Sequence, residues 1–310
     1  MKKILFVAIV FAIIGLGIFV VSNISQKSKI GPQKITVVTT LFPLYDFAKV
    51  IGQDKVAVSL LLPPGVEAHS FEPKPSDIVK INESDIFVYT GKFMEPWAED
   101  IISGITNKNV KFVNISNGIN LMKLTDGMPD EAHGFDPHIW LDFDNNKTMI
   151  DGMSKALTEK DPANADFYQK NATEYKDKLA QLDKQFKSKL AKCENREIVY
   201  GGHYAFGYLA NRYNLKYLAA QGLAPDSEPT ASDLIKLVEQ VKKDNIKYVF
   251  YEEMTTPKIA ETIANETKAK MLLLNAAHNV AKEDIEANIS FLSIMEENLI
   301  NIKTGLGCSE

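Results

Sequence analysis

Residues 162–191 read PANADFYQKNATEYKDKLAQLDKQFKSKLA. Tyr168, Ala172, Tyr175, Leu179, Leu182, Phe186 and Leu190 recur in steps of three and four, which places them on one face of a helix. Asp161 suits the N-cap and Pro162 the first helical position. Thirty residues at 1.5 Å each make a rod of about 45 Å, longer than one small domain is wide. Such a rod reads as a rigid strut between two lobes. The alternative is an amphipathic helix lying along one lobe only.

On both sides of the rod, strand and helix signals alternate. Before it, 35–40, 56–62, 86–89 and 110–115 read as strands, with helices at 44–51, 75–82 and 97–105 between them and a further helix at 145–159. After it, strands at 198–200, 215–219, 247–251 and 271–274 alternate with helices at 204–213, 232–243 and 257–269. Residues 282–303 read as one closing helix. Alternation of this kind indicates parallel βαβ units. The expected fold is therefore α/β: two βα lobes with mainly parallel sheets, joined by one long rigid helix, with a ligand in the cleft between them. The expected boundaries are a lobe at 35–144, a helical region at 145–192 and a second lobe at 193–310. No close sequence repeat links the two lobes.

Of the 310 residues, 45% are hydrophobic and 24% charged, which argues against disorder and against a polytopic membrane protein. The net charge is −5, with no dominant Lys/Arg block, so nucleic acid is not an expected partner. Met1-Lys2-Lys3 precedes an unbroken apolar run at 4–21. This is a cleaved secretory signal or an uncleaved membrane anchor within residues 1–25, and 26–34 reads as a tether. No cysteine follows the run to carry a lipid. Either way, the rest of the chain is expected outside the cytoplasmic membrane, secreted or held at its outer face. The only cysteines, Cys193 and Cys308, can pair in an oxidising compartment and would then tie the C-terminus to the start of the second lobe. The alternative is two free thiols.

Five histidines are few enough to take singly. His69, His203 and His278 each follow a strand, where open α/β sheets bind ligands. His138 lies in Asp136-Pro137-His138-Ile139-Trp140, a stiff segment able to reach the cleft. Four neutral imidazoles would close a tetrahedral zinc site with no open position for a reacting water, which suits binding rather than hydrolysis. No H-E-x-x-H, G-x-S-x-G, C-x-x-C or phosphate loop is present, so no enzyme is expected. Gly201-Gly202 reads as a tight turn. His133, with Asp126, Asp130 and Glu131, falls in a short stretch at 125–135 that reads as a surface loop.

Four segments occur together in order: Glu67-Ala68-His69-Ser70-Phe71-Glu72-Pro73-Lys74-Pro75-Ser76-Asp77, Asp136-Pro137-His138-Ile139-Trp140-Leu141-Asp142, Gly202-His203-Tyr204-Ala205-Phe206-Gly207-Tyr208, and Gly222-Leu223-Ala224-Pro225-Asp226-Ser227-Glu228-Pro229-Thr230. The chain thereby resembles, over residues 34–303, the solute-binding proteins of bacterial zinc and manganese ABC importers, and the zinc branch in particular. The resemblance implies Zn2+ as cargo, with Mn2+ the lesser alternative, bound by His69, His138, His203 and His278. Zinc-type members carry His at the position of His203, and manganese-type members Glu. The fourth ligand is usually a carboxylate where this chain has His278. If His278 turned outward, Glu67 or a water would replace it. Glu252 and Glu253 are the other nearby carboxylates, and they read as a solvated strand end or as groups in a hydrogen-bonding role rather than as ligands. The implied partners are the membrane-spanning permease subunits of an ABC importer with a cytoplasmic ATPase, and the binding protein is expected to be a monomer. Competing readings are manganese or iron uptake, a secreted metallohydrolase, and a surface adhesin.

Overall fold

A computed structural model describes residues 34–124, 134–223, 229–254 and 256–309. The N-terminal signal or anchor, residues 26–33 of the tether, the loop around His133 and the centre of the 222–230 motif lie outside the described residues. The contact pattern separates Met1–Lys34 from Ile35–Glu310, and only the second unit is described here. None of the described helices is long and apolar enough to cross a membrane.

In the first half, strands β1 (Ile35–Thr39), β2 (Val56–Leu60), β3 (Ile86–Tyr89) and β4 (Lys111–Asn114) alternate with helices α1 (Phe42–Gly52), α2 (Pro75–Glu83) and α3 (Ala98–Gly104). Helices α4 (Phe143–Lys160) and α5 (Ala165–Leu190) follow. In the second half, β5 (Glu197–Tyr200), β6 (Lys216–Ala219), β7 (Tyr248–Tyr251) and β8 (Lys270–Leu273) alternate with α6 (Gly207–Arg212), α7 (Ala231–Lys243) and α8 (Lys258–Thr267). Helices α9 (Lys282–Glu286) and α10 (Phe291–Gly305) close the chain. Every strand pair is parallel, and the two four-stranded sheets have the same order, β2-β1-β3-β4 and β6-β5-β7-β8.

Matching the halves by topology makes α2 the counterpart of α7 and corrects one expectation. Glu72-Pro73-Lys74-Pro75-Ser76-Asp77-Ile78-Val79-Lys80-Ile81 is echoed by Glu228-Pro229-Thr230-Ala231-Ser232-Asp233-Leu234-Ile235-Lys236-Leu237. The lobes do share a short repeat, which is invisible until the strand order gives the frame for comparing them.

Strand alternation divides each sheet between two cores. Val37, Ile86, Val88, Ile198, Tyr200 and Phe250 face one large shared core, while Val38, Phe87, Val199 and Val249 face smaller cores private to each half. The expected stripe of α5 is buried along its whole length in the shared core. This helix is shorter than expected, because Pro162–Asn164 forms a separate 3-10 turn; its 26 residues span about 39 Å. Two other helices also differ from expectation. The helix expected at 204–213 is confined to Gly207–Arg212. The single helix expected at 282–303 is broken at Asn288, whose φ is +56°, after which Ser290 caps α10 by accepting from the Ser293 N–H.

Two buried carboxylates join the halves across α5. Asp46 on α1 accepts from Tyr175 Oη of α5 at 2.9 Å and from the Phe291 N–H of α10 at 3.1 Å. Asp183 on α5 takes a bidentate pair from Arg212 Nε and Nη2 at 2.8 and 2.9 Å, and Arg212 Nη1 reaches Asp142 and Asp144 at the start of α4. The cysteines Cys193 and Cys308 are disulfide-bonded, closing a separation of 115 residues.

Candidate metal centre

Three of the expected residues converge. The loop after β2 carries His69, the segment before α4 carries His138, and the turn after β5 carries His203. Their Nε2 atoms face one another: His69 to His138 at 3.1 Å and His203 to His138 at 3.3 Å. Four ligands around zinc at 2.0–2.1 Å define a tetrahedron with edges of about 3.3 Å, so this spacing is the one a zinc ion asks of its ligands. His138 and His203 are fully buried.

The outer side of each ring explains why Nε2 points inward. Asp136 Oδ1 accepts from both the backbone N–H of His138 at 2.9 Å and its Nδ1–H at 2.8 Å. Glu252, at the end of β7, does the same for His203, accepting at Oε1 from Nδ1–H at 2.6 Å and at Oε2 from the backbone N–H at 3.3 Å. A proton fixed on Nδ1 leaves the Nε2 lone pair free for a cation. Glu67 accepts the backbone N–H of His69 at 2.9 Å.

Gly201 and Gly202 make that approach possible. A Cβ on Gly202 would lie 2.5 Å from Glu252 Oε2, and one on Gly201 would lie 2.7 Å from the backbone of Ala260 in α8. The tight turn thus leaves room for a carboxylate and a helix.

His278 stands slightly apart. Its ring centroid is 5.6 Å from that of His203, against 5.1–5.3 Å among the other three rings. Its Nε2 lies 3.9 Å from Glu67 Oε2 and its Nδ1 3.7 Å from Glu253 Oε1, and it groups with Glu67 and Glu252. Both ring nitrogens are buried without a hydrogen-bond partner. An orphaned buried polar group costs about 1–3 kcal/mol, which a metal bond would recover. The loop bearing His278 is stitched to the first half. Its carbonyl accepts from the Phe42 N–H, Asn279 Nδ2 donates to the Pro63 and Val66 carbonyls, and Trp140 Nε1 donates to the Ala276 carbonyl.

Electrostatics sorts the histidines. Burial holds His138 below the ordinary imidazole value despite Asp136 beside it. Burial, then the neighbouring histidines, hold His278 far below it. For His203, burial pulls the same way, but Glu252, Glu67 and Glu253 outweigh it and raise the value. Glu253 is not a solvated strand end: burial, reinforced by Glu252, pushes its carboxyl up to about 8, and it accepts the Ala276 N–H. Glu252 is equally buried, so the solvated alternative fails for both. The sequence reading missed Asp136 and Glu252 as partners of the rings. The signal for the first was on the page, an acid two residues before His138; the second comes from a different strand.

The model of the family described as zinc-uptake complex component A, periplasmic (ZnuA), matches residues 37–305. The chain belongs to this family. It is 37% identical to the high-affinity zinc uptake system protein ZnuA of Bacillus subtilis, covering 88% of each chain. It is 34% identical to the zinc-binding lipoprotein AdcA of Streptococcus pneumoniae over 92% of this chain, but spans only 58% of that relative's length. The crystal structure of the Zn(II)-bound ZnuA-like domain of AdcA matches with a TM-score of 0.77 at 34% identity, covering 88% of this chain and 99% of that one.

Proposed function

We propose that this family member captures Zn2+ outside the cytoplasmic membrane and delivers it to an ABC permease for import, with His69, His138, His203 and His278 as ligands. The observation that carries the ligand set is the Nε2 spacing of 3.1 and 3.3 Å among three converging imidazoles. His278, whose buried ring nitrogens lack hydrogen-bond partners and whose ring lies beside that of His203, is the fourth member of the set. Four imidazoles favour zinc over manganese, which prefers oxygen donors and higher coordination. Two relatives named for zinc uptake and zinc binding support the same cargo. We divide the chain into a first lobe at 35–144, a helical region at 145–192 and a second lobe at 193–310, preceded by a signal or anchor that leaves the protein outside the cytoplasmic membrane, secreted or held at its outer face. The protein acts as a monomer on the membrane-spanning subunits, and a cytoplasmic ATPase drives transport.

The test is a competitive metal titration of the wild type beside His278→Ala and His203→Glu. One tightly bound zinc per chain, weakened in His278→Ala and shifted toward manganese in His203→Glu, supports the assignment. Equal competition by manganese in the wild type contradicts it.

A further inference from the structure

Beside the three converging imidazoles lies a second group of a different kind. One carboxylate oxygen each from Glu67 and Glu252 and one ring nitrogen of His278 all lie within 4.8 Å of one another. His278 is 1% exposed, and neither of its ring nitrogens has a hydrogen-bond partner. Its Nε2 is 3.9 Å from Glu67 Oε2, and its Nδ1 is 3.7 Å from Glu253 Oε1. Both gaps are too long for a hydrogen bond. A cation bonded to two such atoms at about 2.0–2.2 Å from each would hold them about 3.3–4 Å apart.

Water reaches these groups from one side. The Glu67 side chain is 22% exposed and His69 is half-buried, whereas His138, His203, His278, Glu252 and Glu253 are all buried. The loop after β2 is therefore the way in, and an arriving ion meets Glu67 and His69 first. Glu67 Oε1 accepts the His69 N–H at 2.9 Å, and Oε2 is the oxygen nearer His278. Two carboxylates supply the negative charge that neutral imidazoles lack. With one imidazole they make a mixed oxygen and nitrogen set, which suits zinc less well than imidazoles alone. Glu252 touches both groups, because its Oε1 also takes the Nδ1–H of His203 at 2.6 Å.

We propose that Glu67, Glu252 and His278 form a second divalent-cation position, through which zinc passes on its way to His69, His138 and His203. His278 holds the ion in both positions, and the carboxylates release it as the other three imidazoles take over. This rests on the zinc-capture reading above. A waypoint of this kind lowers the barrier to arrival and departure alike, so it changes both rates and leaves their ratio, the final affinity, in place.

The test is stopped-flow zinc binding, and release to a chelator, on the purified full chain. Trp140 is the fluorescent reporter, its ring 5.4 Å from that of His138. Wild type, Glu67→Gln and Glu72→Gln are compared. A glutamine at 67 can still accept the His69 N–H, and Glu72 is an exposed acid of the same loop. In Glu67→Gln both rates should fall about tenfold, with their ratio within about threefold of wild type, while Glu72→Gln should match the wild type. In His69→Ala, which breaks the three-histidine set, electron paramagnetic resonance should show one weakly bound Mn2+ per chain, lost when Glu67→Gln is added. Unchanged rates in Glu67→Gln overturn the proposal, as does faster release alone, which would make Glu67 a support of the bound state. Equal slowing in Glu72→Gln overturns it by showing general charge attraction, and so does a His69→Ala chain that binds no Mn2+. A wild type that binds no zinc tightly overturns instead the capture reading on which the proposal rests.

Discussion

Asp136 and Glu252 each grip one histidine at two points, backbone N–H and ring Nδ1–H, and so fix both its position and its tautomer. Losing such a partner commonly costs ten- to a hundredfold in metal affinity. Asp136→Asn and Glu252→Gln should therefore each weaken zinc binding by about that factor with the ligands untouched. Competition against a chromophoric chelator measures it, and unaltered affinity in both variants would show that the carboxylates do not set the site. The same residues fix the pH response. Burial holds His138 and His278 below the ordinary imidazole value, whereas the surrounding carboxylates raise His203, so zinc must compete with a proton on His203 above that value. Affinity should begin to fall as pH drops while still above the ordinary histidine value of about 6.5, by up to tenfold per unit. Titrations at pH 8, 7 and 6 would reveal this, and a flat profile would count against imidazole ligation. The convergence of His69, His138 and His203 was legible because few residue types bind metals and these sit at strand ends or in a stiff loop; His278 groups instead with Glu67 and Glu252. Glu252 was not, because its partner is 49 residues away and only the β5–β7 pairing brings them together.

At the scale of elements, α5 earned its reading from seven apolar positions in register, and all seven are buried. What the pattern did not show is its polar pinning. Arg212 comes from α6, and its side chain, 9% exposed, meets Asp183 bidentately while reaching the acids that begin α4. Removing one partner of a buried ion pair strands the other charge and costs about 3–5 kcal/mol. Arg212→Ala should lower stability by about 3 kcal/mol, read as a lower urea midpoint with an unchanged slope. A shift well under 1 kcal/mol would mean that water serves Asp183 as well as Arg212 does. The break between α9 and α10 escaped the sequence reading for a different reason. Apolar spacing continues from Ile285 through Ile289 to Leu292, while the left-handed turn at Asn288 and the Ser290 cap are local chemistry that periodicity does not register.

Over the whole molecule, the parallel βα alternation was legible in the sequence, but neither the strand order nor the sharing of one core by both sheets was. That core runs from Val37 through α5 to Phe250 and α10 and makes Ile35–Glu310 one contact unit. The disulfide adds a covalent constraint over 115 residues of sequence. In the chain-entropy picture a loop of that size is worth about 4–5 kcal/mol. Cys193→Ser with Cys308→Ser should melt well below the wild type while keeping zinc affinity, since neither cysteine is among the residues gathered at the candidate metal centre. Equal melting temperatures would show that the shared core alone holds the two ends. The ligand set itself is tested most directly by zinc-edge X-ray absorption on the loaded protein. Four imidazole nitrogens at about 2.0–2.1 Å, with one lost in His278→Ala, are predicted. A shell dominated by oxygen, or a spectrum that His278→Ala leaves unchanged, would contradict it.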